Sequence, residues 1–135
     1  MESIEAKVLE EVRYLNEGDL DGVCKCYRDD VVFADISDPE HPAVGMKAFR
    51  ASMKDFFNGF SDLKVDITRM SCTADGTVCA AEYILSGTQN GEFAGLEPKG
   101  KNFHVQACSV YELKGDKFSR ETIYWNMAGV LETLR

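Results

Sequence analysis

The stretch Phe60-Ser61-Asp62-Leu63-Lys64-Val65-Asp66-Ile67-Thr68-Arg69-Met70-Ser71-Cys72 decides the fold, because the hydrophobic period changes within it. Upstream, Met46, Phe49, Met53, Phe56, Phe57 and Phe60 fall along one side of a helix that opens at Gly45 and stops at Gly59. From Leu63 the period is two, with Leu63, Val65 and Ile67 alternating with polar residues as in a half-buried strand. The alternation then slips by one residue, and Met70 and Cys72 continue it on the other parity. A β-bulge produces such a slip.

Downstream, Asp75-Gly76 supplies a hairpin turn and Val78 to Leu85 the next strand, apolar except for Glu82. A glycine-rich connection runs from Gly87 to Gly100. Phe103, Val105, Ala107, Ser109, Tyr111 and Leu113 alternate over a long strand, and Lys114-Gly115-Asp116-Lys117 turns it into a last strand from Phe118 to Asn126. Val130, Leu131 and Leu134 predict a short closing helix. Toward the other end, Ile4, Val8, Val12 and Leu15, widened by Leu9, predict a first helix ending at Gly18. Asp19 caps a second, with Leu20, Val23, Cys24 and Tyr27 on its apolar face. Val31–Ala34 reads as a short strand running into the polar loop Asp35–Pro42.

Helices first and then a meander of long strands predict a single α+β domain over residues 1–135. The expected architecture is an antiparallel sheet covered by helices on one face; bulged and twisted around them, it leaves a concave mouth that suits a small-molecule site.

A chain of 135 residues is one domain by size, and its 44% hydrophobic and 28% charged residues are ordinary for a soluble globular protein. A net charge of −8 argues against nucleic acid and anionic membranes as partners, since both carry phosphate. The acidic opening Met1–Glu5 has neither the basic start nor the apolar run of a secretory signal. The five cysteines form an odd set, which predicts reduced thiols and a cytoplasmic location. No metal is expected, because Cys24 and Cys26 are too closely spaced for a zinc pair and only His41 and His104 offer imidazoles. A G-x-S-x-G elbow is lacking, and the Gly87–Gly100 loop does not lead into a helix as a phosphate cradle does.

Proton abstraction beside a carbonyl needs a carboxylate or histidine whose pKa is raised by apolar surroundings. Asp35 follows an apolar strand at the mouth, where it serves either the pocket or a turn with Ser37 and Asp38. Glu82 interrupts an apolar run, so it points either into the pocket or out toward a partner such as Arg120. Glu121 shares the parity of Ile123 and Trp125, so it either lines the pocket with them or pairs, exposed, with a Lys or Arg across the strands. Phe33, Phe93 and Trp125 are candidate walls, and Ser109 and Asn126 candidate polar contacts for a ligand. Asn126 equally suits a helix cap, while His104 reads as an exposed strand residue and His41 as a loop residue.

Four segments resemble one family. Phe60-Ser61-Asp62-Leu63 is similar to the F-P-D-L of SnoaL-like polyketide cyclases. Ser86-Gly87-Thr88-Gln89-Asn90-Gly91-Glu92-Phe93 resembles their S-G-T-H-x-G-E-F, and Gly95-Leu96-Glu97-Pro98-Lys99-Gly100-Lys101 their G-x-x-P-T-G-K. Tyr124-Trp125-Asn126 resembles their closing Y-W-D. The resemblance implies the α+β barrel or cone of ketosteroid isomerase, scytalone dehydratase and limonene epoxide hydrolase, a curved mixed or antiparallel sheet wrapped around N-terminal helices. It also implies acid–base chemistry on an apolar carbonyl compound without a cofactor, and a homodimer through the sheet. Gln89 stands where relatives have His, Lys99 where they have Thr, and Asn126 where they have Asp. By the same resemblance the pocket acid of the last strand falls near Ile123. These departures leave two expectations: a cyclase, isomerase or dehydratase, or a small-molecule-binding protein with the same pocket.

Overall fold

Helix α1 (Ile4–Asn16) starts where the Ser3 side chain accepts the Ala6 backbone N–H at 3.2 Å. It buries Ile4, Val8, Val12 and also Glu11. At 3.6 residues per turn Glu11 lies about 20° from Ile4, inside the apolar stripe, whereas Leu9 lies about 140° away. Leu9 is accordingly 49% exposed and does not widen the stripe as expected. In α2 (Leu20–Lys25) the Asp19 carboxylate accepts from the Gly22 N–H at 2.9 Å. The computed structural model describes residues 2–135.

Strand β1 (Tyr27–Asp35) is longer than Val31–Ala34 and takes in Tyr27, which had been placed on the helix before it. Arg28, Asp29 and Asp30 hide the strand in the sequence, but they turn outward while Tyr27 and Val31 are buried. A short edge strand, β2 (Ala43–Val44), precedes α3 (Met46–Gly59). Then come β3 (Lys64–Cys72), β4 (Val78–Thr88), β5 (Asn102–Lys114), β6 (Lys117–Tyr124) and α4 (Met127–Leu134).

The strands form one curved sheet in the order β2-β1-β6-β5-β4-β3, parallel between β1 and β6 and antiparallel elsewhere. The sheet does not close, since β2 and β3 each have a single neighbour, so the barrel form of the expectation becomes an open cone. The slip read between Ile67 and Met70 is a register shift between Ile67 and Arg69. Further shifts fall between Tyr27 and Val32 and between Glu112 and Leu113. Bulges bend strands and increase their twist, which lets the sheet wrap. Ile4, Val8, Val12, Phe49 and Met53 of the helices share one core with Tyr83, Leu85, Tyr111 and Ile123 of the sheet.

Cys72 and Cys79 lie opposite each other on β3 and β4, with Cα atoms 4.0 Å apart, and form a disulfide. The expectation of reduced thiols throughout is corrected for this pair, because the turn at Asp75-Gly76 sets a register that brings them face to face. Cys24, Cys26 and Cys108 are free. Among the described residues no helix is long and apolar enough to cross a membrane.

Candidate functional site

Strand alternation turns one residue in two toward the helices. On β6 these are Glu121 and Ile123, on β5 Ala107, Ser109 and Tyr111, and on β4 Tyr83 and Leu85. Tyr27 and Phe33 join them from β1 and Glu11 from α1. The result is a buried polar cluster between helix and sheet. The Tyr27 hydroxyl donates to Glu121 Oε1. The Tyr111 hydroxyl donates to Glu11 Oε1 at 2.8 Å, and the Tyr83 and Ser109 hydroxyls lie 2.8 Å apart. Glu11 is 1% exposed and Glu121 8%. Both border a chamber of about 50 Å³, with Phe33, Met53, Phe56 and Tyr83 among its other walls.

Burial raises the pKa of both carboxyls, because a charge in an apolar interior loses its hydration. For Glu11 burial is followed by repulsion from Glu121, and the Tyr111 hydrogen bond opposes them only in part. For Glu121 burial is opposed by hydrogen bonds from Tyr27 and Ser109. Hydrogen bonds thus favour the charged form of Glu121, and a charge on Glu121 raises the pKa of Glu11 further. Burial and the neighbouring carboxylates push the Tyr27 and Tyr111 hydroxyls well above the usual tyrosine value, so both remain donors.

A second space opens outside this chamber. It is a basin of about 660 Å³ at the mouth, lined by Asp35, Asp55, Glu92, Phe93 and Trp125 among others. Phe33 and Phe56 border both spaces and stand between them. The Trp125 indole N–H is shared by the two Asp35 oxygens at 3.0 and 3.1 Å, and Asp35 also accepts from the Ser37 N–H at 2.9 Å.

The structure thus divides the expected site residues. Glu121 and Ser109 lie in the interior cluster, Phe33 walls both spaces, and Asp35, Phe93 and Trp125 line the mouth. Glu82 does not reach either space. The alternation that buries Tyr83 turns Glu82 outward, and the β3 bulge brings Arg69 opposite it, 3.5 Å away. The suggested partner Arg120 pairs with Glu112 instead, at 3.7 Å. Asn126 accepts from the Gly129 N–H at 2.9 Å and caps α4 rather than lining either space. His104 is exposed, and His41 sits on the basin rim with Asp38 at 2.8 Å. Gln89 is buried and ties the basin loop down through the Gly91 and Leu96 carbonyls, at 3.0 and 2.8 Å. Among the described residues no group of three or more His, Cys, Asp or Glu could hold a metal.

Glu11, Tyr27, Tyr83 and Tyr111 were not singled out in the sequence. Glu11 carried a signal, being a charge at the centre of an apolar helical stripe. Tyr111 lay in the inward alternating set of β5, and Tyr83 in the apolar run of β4.

Solved structures share this architecture. A candidate polyketide cyclase of Pseudomonas putida KT2440 is 21% identical, with a TM-score of 0.89 over 100% of both chains. AclR, a candidate hydroxylase from Streptomyces galilaeus, is 23% identical over 97% of this chain and 94% of its own, with a TM-score of 0.83. IdmH, a candidate polyketide cyclase from Streptomyces antibioticus, is 16% identical over 98% of this chain and 99% of its own, with a TM-score of 0.81. At such identities the likeness speaks for the fold, which is the ketosteroid isomerase-like one. No curated protein matches by sequence. The family model for SnoaL-like polyketide cyclases matches residues 6–134, a span that includes both carboxyls of the chamber and the motifs of the basin loop. The chain belongs to the SnoaL-like polyketide cyclase family.

Proposed function

We propose that the protein is an acid–base enzyme of the cyclase, isomerase or dehydratase type, acting on a carbonyl group held between Glu121 and Glu11. Family membership supports a cyclase- or isomerase-type activity in general terms. The observation that carries the finer reading is the pair itself: two glutamates buried in one small chamber, each held by a tyrosine, with pKa values raised by burial. Environments that push two carboxyls apart assign one as acid and one as base.

Glu121, in its ionised form, takes the proton from the carbon beside the carbonyl. Glu11, in its neutral form, donates a hydrogen bond to the carbonyl oxygen as negative charge builds there. The proton on Glu121 then returns to a different carbon or to a leaving oxygen, and this choice separates isomerisation from dehydration. Phe33, Met53 and Phe56 keep water from competing for the carboxyls. All steps are proton transfers between this chain and the ligand. Asp35 and Glu82 have no part in them.

The test uses 4-phenyl-2-butanone, whose ketone head matches a small chamber. Exchange of its α-protons in D₂O, followed by NMR, is expected to be catalysed by the wild-type protein and lost in Glu121→Gln. Equal exchange in both proteins contradicts the assignment. The small chamber favours a second reading, in which the basin binds a ligand without reaction. Catalysed exchange in the wild type excludes it.

A further inference from the structure

We infer that the mouth basin selects an organic cation, a ligand carrying an ammonium group on an apolar body. Three carboxylates line the basin, Asp35, Asp55 and Glu92, and no lysine or arginine does. Among the described residues neither Asp55 nor Glu92 has an ion-pair partner. The only other ionisable side chain on the rim is His41, which is held by Asp38. A concave surface of one sign focuses its field, and here the field is negative.

The apolar walls suit the same ligand. Phe56 stands between Trp125 and Phe93, with ring centroids 5.8 and 5.4 Å away, so three rings form a continuous wall. Ring faces attract cations, and a carboxylate beside the ring adds to the attraction. Asp35 supplies that carboxylate at Trp125, whose N–H it holds. Acidic residues alone do not make a site. Here they surround a basin of about 660 Å³, within the range of small-molecule pockets.

The basin also adjoins the chamber, with which it shares Phe33 and Phe56. Glu11 is 1% exposed and its Oε1 accepts a hydrogen bond from the Tyr111 hydroxyl. Glu11 and Glu121 both line the chamber. The substrate class that fits is an amino-carbonyl compound, with its carbonyl head in the chamber and its ammonium group in the basin. As a statement about substrate this rests on the acid–base reading of the chamber. As a statement about binding it stands on the basin alone.

Trp125 is the only tryptophan and walls the basin, so its fluorescence reports occupancy. The probes are benzyltrimethylammonium, benzyl alcohol and benzenesulfonate, titrated at constant ionic strength. The cation is expected to quench saturably and to bind about tenfold tighter than the alcohol, while the sulfonate shows no saturable effect. In the double variant Asp55→Asn with Glu92→Gln the preference should fall to about threefold or less. Raising salt from roughly 0.05 to 0.5 M should weaken the cation and leave the alcohol unchanged. Equal binding of all three probes, absence of saturable binding by the cation, or a preference unchanged in the double variant overturns the inference. A protein that binds the cation but exchanges no ketone proton keeps this inference and loses the chemistry.

Discussion

The two faces of the sheet carry the same side-chain chemistry in opposite states. On β6, Arg120 faces outward and Glu121 inward, and on β4 Glu82 faces outward and Tyr83 inward. Outside, Glu82 and Glu112 pair with Arg69 and Arg120 in water. Inside, Glu121 and Glu11 have only tyrosine and serine hydroxyls as partners, and burial raises the pKa of both. A step of one residue along a strand separates a solvated ion pair from a candidate general base. Strand parity and helical phase, rather than residue type, therefore decide which carboxyl can do chemistry.

The largest effect should come from removing the inner base. Glu121→Gln keeps the Tyr27 hydrogen bond and the side-chain volume, and it is expected to slow ketone α-proton exchange about a thousandfold. Circular dichroism should show the fold retained. Comparable exchange would place the base elsewhere.

Next in size is Glu11→Gln, which tests what burial does to the inner carboxyls. Glu11 has a folded pKa above its unfolded one, so its folded form holds the proton more tightly. Stability from this group is full below the unfolded pKa. It declines as pH rises through that value and keeps declining until the folded pKa is reached. Glutamine removes the loss. Thermal melts should find the variant equal to wild type near pH 4 and more stable near pH 8 by about 2 kcal/mol. A variant less stable than wild type at both pH values contradicts the burial account.

Tyr27→Phe is smaller again. It leaves Glu121 short of a buried donor, which should cost about 1 kcal/mol in denaturant unfolding. That hydrogen bond lowers the Glu121 pKa, so the acid limb of the exchange profile should also move to higher pH. An unmoved limb means that Tyr27 does not tune the base. The smallest effect belongs to the outer face, where Glu82→Gln loses a surface pair and should change stability by less than about 0.5 kcal/mol and leave exchange within about twofold.

Much of the fold was legible because it rests on period and punctuation. The change of period at Phe60, the parity slip before Met70 and the turns at Gly76 and Gly115 all appear where they were read. The β1 start was hidden because Arg28, Asp29 and Asp30 break the apolar run, and β2 is too short to leave a pattern. The site was half legible. Parity with Trp125 made Glu121 a candidate but left open which face it shared, and its partner Glu11 sits 110 residues earlier on a helix, with no local pattern linking the two. Glu82 drew attention because it interrupts an apolar run, which left its direction open; the bulge that supplies Arg69 belongs to the neighbouring strand. The Cys72–Cys79 bond depended on register, which the sequence leaves open.

Titration of the glutamate carboxyls by ¹³C NMR tests the central claim most directly, with Glu11→Gln and Glu121→Gln assigning the two inner signals. Both should titrate above the ordinary glutamate range, and Glu11 should fall part of the way back in Glu121→Gln, because the charge that repels it is gone. If every glutamate titrates near the usual value of about 4.3, the interior pair holds no poised acid and base, and the proposed chemistry is wrong.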